Sequence, residues 1–105
     1  MRYRVLSGAK AKQDILDLYD YIADKGHPVE ATKYIDRLER WCLSLGTFPE
    51  RGIPRDDIRT GLRTVGFERR VLVCFQITGN AVVILRLLYG GRDISGADFS
   101  GDTTP

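Results

Sequence analysis

The sequence predicts an α+β domain in which an N-terminal strand and an antiparallel helical hairpin pack on one face of a mainly antiparallel sheet. Three features carry that expectation. Apolar residues recur twice at helical spacing in the first half, with only Gly26, His27 and Pro28 between the two runs. Three later runs rich in Val, Ile, Leu and Phe are separated by turn residues. A chain of 105 residues is also too short to bury two separate cores, so both halves must share one.

Taken in order, Tyr3-Arg4-Val5-Leu6 alternates and reads as a short first strand, with Ser7-Gly8 as turn and cap. From Ala9 to Lys25, the residues Ala11, Ile15, Leu18, Tyr19 and Ile22 form one helical stripe. Asp14, Asp17, Asp20 and Asp24 take remaining positions and read as a solvated face. Gly26 supplies a left-handed stop, and Pro28 the preset φ of a first helical turn. So short a connection forces the helices antiparallel, and the second, Val29 to Leu45, turns Ala31, Ile35, Leu38, Cys42 and Leu45 inward. Leu16 and Leu43 point away from these stripes, while Tyr21, Tyr34 and Trp41 lie at their margins. Residues 47–54 hold two prolines and a glycine and are expected as an ordered loop. Strands are expected at Leu62–Phe67, Arg70–Thr78 and Ala81–Tyr89, the last two joined through Gly79-Asn80 as a tight hairpin. Residues 1–94 are expected as the domain and 95–105 as a flexible tail whose one large apolar residue is Phe99.

Composition narrows the function. With 43% apolar and 29% charged residues the chain is neither disordered nor fibrous. No apolar run approaches the roughly 18 residues of a membrane span, and the start lacks a secretory signal, so a soluble cytoplasmic protein is expected. Cys42 and Cys74 stand among apolar residues as small buried hydrophobes, too few and too scattered for a zinc site; no metal and no cofactor is expected. Charge is unevenly placed. Residues 1–50 carry eight basic and eight acidic residues, whereas residues 51–92 carry eight arginines and three acids. That half suits an acidic protein or nucleic acid, or forms a solvated basic rim.

Strand alternation raises a second question. Val71, Val73, Phe75 and Ile77 share one face and Leu72, Cys74 and Gln76 the other. In the last strand Val83, Leu85, Leu87 and Tyr89 form one set, and Val82, Ile84, Arg86 and Leu88 the other. Neither face is polar, yet one helical hairpin covers only one side. Either a partner covers the far side, or the tail folds back over it with Phe99.

Little here suits acid–base or nucleophilic catalysis. The one histidine, His27, is read as a linker residue, and Asp56-Asp57 as loop residues that cap backbone or pair with Arg55 and Arg59. Arg63, Arg69, Arg70, Arg86, Arg92 and Tyr89 are the one set from which a histidine-free ribonuclease could be built.

Several strings resemble the ParE branch of the RelE/ParE toxins: Ala23-Asp24, Phe48-Pro49-Glu50-Arg51-Gly52, Ile58-Arg59-Thr60-Gly61-Leu62-Arg63 and the run Val83 to Asp93. The likeness covers about residues 2 to 94. Cys74-Phe75-Gln76 stands where the family commonly reads aromatic-Tyr-Arg, and Leu88-Tyr89 replaces a usual histidine, which weakens a nuclease reading. The resemblance implies a RelE/ParE-like fold and a non-enzymatic toxin of a bacterial type II toxin–antitoxin system. It would poison DNA gyrase, be wrapped by a ParD-like antitoxin in a hetero-oligomer, and reach operator DNA only through that antitoxin. The alternatives are a RelE-like ribosome-dependent mRNA endoribonuclease or a non-toxic binding module. On this reading the antitoxin buries Leu72, Cys74, Ile84 and Leu88, and Arg63, Arg69, Arg70 and Arg92 face the target.

Overall fold

Backbone chemistry places the helix ends. α1 (Ala9–Ala23) stops ahead of Gly26, whose φ of +88° is a left-handed value that glycine adopts without a Cβ clash. α2 (Pro28–Leu43) starts on its proline, with Glu30 in the first turn and Arg40 in the last, both favourable to the helix dipole. The computed structural model describes residues 2–90 and 93–99. β1 (Arg4–Ser7) precedes α1, and a 3-10 turn (Ser44–Gly46) follows α2. Then come β2 (Ile53–Pro54), β3 (Arg63–Phe67), β4 (Val71–Thr78), β5 (Ala81–Tyr89) and a 3-10 turn at Ile94–Gly96.

The strands form one sheet in the order β1-β5-β4-β3-β2. β1 lies parallel to β5, from Arg4 beside Ala81 to Ser7 beside Ile84, and the other pairings are antiparallel. Where residues 47–54 were expected only as loop, Ile53 and Pro54 add a two-residue edge strand against Thr64 and Arg63. An edge tolerates proline because its outer side needs no donor. Gly52, at φ +75°, brings this segment so close to β3 that a Cβ would run into the Thr64 carbonyl.

The last strand departs from strict alternation. Cys74 pairs with Arg86 but Phe75 with Ile84, so Leu85 is an extra residue in β5. The bulge flips the pattern: Val82, Ile84, Leu87 and Tyr89 join Val71, Val73 and Phe75 under the helices. Val83, Leu85 and Leu88 fall on the far face with Cys74. Ile84, expected on the open flank, is thus a helix-facing core residue.

The open flank is not open. Leu62 and Ile58 of the loop before β3, together with Ile94, Ala97 and Phe99, pack over Cys74, Val83, Leu85 and Leu88 as a second cluster. The Arg59 guanidinium donates to the Phe99 carbonyl at 2.6 Å, and Arg86 Nη1 donates to that of Asp98 at 3.1 Å, fastening the segment. Residues 95–99, expected within a flexible tail, therefore belong to the packed structure, because the apolar face needs covering and Phe99 is within reach; residues 100–105 of the expected tail lie outside the described residues.

One aspartate was also misplaced. Asp14 lies on the buried stripe of α1 between Ala11 and Leu18, at 3% exposure. Its carboxylate accepts from Arg86 Nε at 2.8 Å, Arg86 Nη2 at 3.0 Å and the Leu87 N–H at 2.9 Å. Asp14→Ala leaves the half-buried Arg86 guanidinium without its partner, and urea denaturation should show a loss of about 3–5 kcal/mol. The double variant Asp14→Leu/Arg86→Met should recover most of that loss. If the single variant melts like the parent, the ion pair is not a structural element.

Burial pushes both thiols up to about 12, so Cys74 and Cys42 stay protonated near neutral pH. An aromatic disulfide reagent should modify Cys74 slowly in the native chain, and much faster after deletion of residues 94–105. Equal rates would show that the segment does not seal the far face.

Candidate functional site

The β3–β4 connection is a three-residue loop, Glu68-Arg69-Arg70, in which a turn centred on Glu68 and Arg69 is closed by the Arg70 N–H donating to the Phe67 carbonyl at 3.0 Å. Both turn residues carry positive φ, +49° and +58°. Such a turn ordinarily selects Asn-Gly, and each non-glycine residue in this region costs on the order of 1 kcal/mol. α2 holds it in place. Arg37 donates from Nε and Nη2 to the two Glu68 oxygens, both at 3.0 Å, with its guanidinium 5.2 Å from the centre of the Tyr34 ring. That fork holds the Glu68 carboxyl below its usual range. The rings of Tyr34 and Trp41 pack at 5.7 Å and 5.6 Å on Phe67, completing the clamp.

Beyond the clamp, Arg69 and Arg70 project from the turn, and neither is within ion-pair distance of a carboxylate among the described residues. Register brings the end of β5 beside them, because Tyr89 pairs with Val71. The Tyr89 ring lies 5.4 Å from that of Tyr21, over which Lys25 places its ammonium at 4.8 Å. These groups border a cleft of about 570 Å³ between the hairpin and the sheet end. Its buried lining is Leu18, Tyr34 and Tyr89, while Tyr21, Lys25, Arg69 and Arg70 are exposed around it. A second hollow of about 410 Å³ shares Ile22, Glu30, Tyr34 and Arg70 with the first and continues it toward Lys33 and Arg37.

Tyr34 sits where the hollows meet. It was expected at the margin of its helix but is only 5% exposed, and its buried hydroxyl has no hydrogen-bond partner among the described residues. Desolvation, reinforced by nearby Glu68, raises its pKa, so the phenol is a neutral donor at physiological pH.

The predicted site residues divide. Arg69 and Arg70 meet at the cleft. Arg63 sits at the opposite end of β3, its Nε donating to the Arg51 carbonyl at 3.0 Å beside a separate hollow. Arg92 lies outside the described residues. Cys74 and Leu88 are buried and Leu72 half-buried beneath the chain's own covering segments, and Ile84 lies under the helices. The arginine–tyrosine set considered for RNA cleavage is brought together only in part: Arg69, Arg70 and Tyr89 border the cleft, whereas Arg86 is committed to Asp14, Arg63 is at the far end of β3 and Arg92 lies outside the described residues. Asp57 forks onto Arg55 at 3.0 and 2.9 Å, and Asp56 accepts from the Gly61 N–H at 2.8 Å, so both serve their loop. Tyr34, Tyr21 and Lys25 were not singled out as site residues. The signal for Tyr34 was its spacing, three after Ala31 and four before Leu38, which puts it on the buried stripe.

Among the described residues no group of three or more His, Cys, Asp or Glu side chains could hold a metal ion, and no helix is long and apolar enough to cross a membrane.

A helical hairpin on a five-stranded mixed sheet is also the architecture of a solved chain titled "Chromosomal ParDE TA system from P. aeruginosa". It matches with a TM-score of 0.74 and 24% identity over 84% of this chain and 96% of that one. The protein is thus an α+β domain that shares the fold of that chain. In sequence it is 28% identical over 92 residues to Toxin ParE3 of Caulobacter vibrioides, covering 88% of this chain and 91% of that protein. The model of the family described as "ParE toxin of type II toxin-antitoxin system, parDE" matches residues 7–94, and the chain belongs to that family.

Tyr34→Phe removes a buried donor that makes no bond among the described residues, so it should leave the free protein unharmed or raise its stability by about 1 kcal/mol in urea denaturation. A loss larger than about 1 kcal/mol would show that the hydroxyl has a partner in the native chain.

Proposed function

We propose that this ParE-family chain inhibits DNA gyrase by binding rather than by turnover, and that a ParD-like antitoxin neutralises it by direct contact. The observation that supports the reading is the pair Arg69 and Arg70, cations with no ion-pair partner among the described residues, on a turn braced by Arg37, Tyr34 and Trp41. A fixed cationic tip is suited to a gyrase–DNA complex, where phosphates and acidic side chains are dense. Gyrase acts in the cytoplasm, and that is where this activity places the chain. Arg63 would reach the target only along a different flank, since it lies at the other end of β3.

The antitoxin contact is revised by the packing. Leu72, Cys74 and Leu88 become available when the Ile94–Phe99 segment is lifted, so the antitoxin takes the place of that segment on the far face of the sheet. The segment is held by hydrogen bonds from Arg59 and Arg86 to main-chain carbonyls, by an ion pair between Lys10 and Asp98 at 3.7 Å and by the partly buried side chains of Ile94, Ala97 and Phe99, contacts that a competing chain would have to replace.

In a supercoiling assay the purified chain should inhibit gyrase and accumulate cleaved DNA, and Arg69→Ala/Arg70→Ala should weaken inhibition by about tenfold or more while melting like the parent. Co-expression with the product of an adjacent small reading frame should restore growth. Absence of inhibition at micromolar toxin would overturn the gyrase reading.

A further inference from the structure

Exposed cations gather at the rim of the cleft, and the chain supplies too little negative charge there to answer them. Arg69 and Arg70 project from the β3–β4 turn and Lys25 stands beyond the end of α1, all three lining the same cleft. Among the described residues none of the three is within ion-pair distance of a carboxylate. Glu30 is the one acid of that lining, and Glu68, although close enough to feel Arg70, gives both its oxygens to Arg37. The excess is local. The whole chain has a net charge of only +2, so general basicity does not account for three unanswered cations at one rim.

Holding like charges together costs free energy that a polyanion would return. A guanidinium fork matches phosphate oxygens two at a time, and the Arg37 brace on Glu68 fixes the turn from which both arginines start. Bases find less to hold. Lys25 lies over the Tyr21 ring at 4.8 Å, and the buried Tyr89 has its ring 5.4 Å from that of Tyr21, so the aromatic surface at the rim is already occupied. A double helix, which presents its phosphates and keeps its bases stacked, suits such a rim better than a single strand. We propose that Arg69, Arg70 and Lys25 together bind the phosphate backbone of duplex DNA without regard to sequence. This rests on the gyrase reading for its setting, the DNA that the enzyme holds.

The test is fluorescence anisotropy on the full chain with a fluorescein-labelled duplex of about 20 base pairs and arbitrary sequence, across a salt series from about 50 to 200 mM. Neither gyrase nor antitoxin is present. Three phosphate contacts predict a slope of log affinity on log salt of about −2.7, a loss of about fortyfold over the series. Arg69→Ala, Arg70→Ala and Lys25→Ala should each reduce that slope by about 1 while melting like the parent, and Arg70→Lys should retain it. Glu30→Gln should tighten binding by about twofold, which a purely structural role would not produce. The exposed Lys12, at the other end of α1, serves as the control, and Lys12→Ala should change nothing. Absence of saturable binding at low salt, a slope indifferent to the three substitutions, tighter binding of oligothymidylate, or a preference of about tenfold between two unrelated duplexes would each overturn the proposal. If duplex binding fails while Arg69→Ala/Arg70→Ala still weakens gyrase inhibition, the arginines meet the gyrase protein, and the functional reading stands without the DNA contact. Duplex binding with no gyrase inhibition keeps the DNA contact and removes the gyrase reading.

Discussion

A carboxylate buried at the seam between α1 and β5 organises this molecule. β1 accompanies β5 only as far as Ile84, where the Gly8 N–H closes the ladder onto the Ile84 carbonyl at 2.9 Å and the chain turns into α1. Past that point the β1 side of β5 has no strand beside it, and Asp14 supplies what the ladder no longer does, an acceptor for the Leu87 N–H. Burying a carboxylate is costly, and here the cost is offset by a two-pronged guanidinium and one main-chain donor. The same contact sets the register of the helical hairpin on the sheet. α2 is in turn carried to where Arg37 meets Glu68, so the geometry of the cleft descends from Asp14.

A strand buried on both faces needs two covers, and this short chain provides both. The helices cover one; the loop through Ile58 and Leu62 and the segment Ile94–Phe99 cover the other. The two covers differ in kind. The helical side is held by rings, an ion pair and a continuous apolar stripe, whereas the far side is held by the buried Leu62, by partly buried side chains, by two hydrogen bonds to carbonyls and by an exposed ion pair between Lys10 and Asp98. Differences of this sort separate parts of a fold that open together with global unfolding from parts that open locally. A partner that competes for the far face would therefore meet the weaker cover.

Strain and clamping meet at the β3–β4 turn. Glu68 and Arg69 occupy a backbone region that favours glycine, and the cost is met by the Arg37 fork and by Phe67 packed against two aromatic rings. The result is a braced turn that presents two arginines without an ion-pair partner among the described residues. Rigid presentation of cations reduces the entropy lost on binding, which is the physical advantage such a turn offers over a glycine-rich one.

Much of this architecture was legible in the residues. Period 3.6 in two runs, a Gly-His-Pro break and three β-rich runs determined the helical hairpin and the β3–β4–β5 meander, and the same patterns exposed the excess of apolar side chains on the second sheet face, whereas the β2 edge strand and the pairing of β1 with β5 carried no such mark. What covers that face was decided only in three dimensions, because covering it depends on Phe99 reaching back across the sheet, a contact with no local signature. The β5 bulge was equally hidden: it moves Ile84 from one side to the other, and alternation contains no mark of an inserted residue. Asp14 looked like its neighbours Asp17 and Asp20 since a helical wheel does not know where a sheet edge will run out of partners. The cleft belongs to tertiary structure for the same reason, as Tyr34, Arg70 and Tyr89 come from three elements and meet through packing and strand register alone.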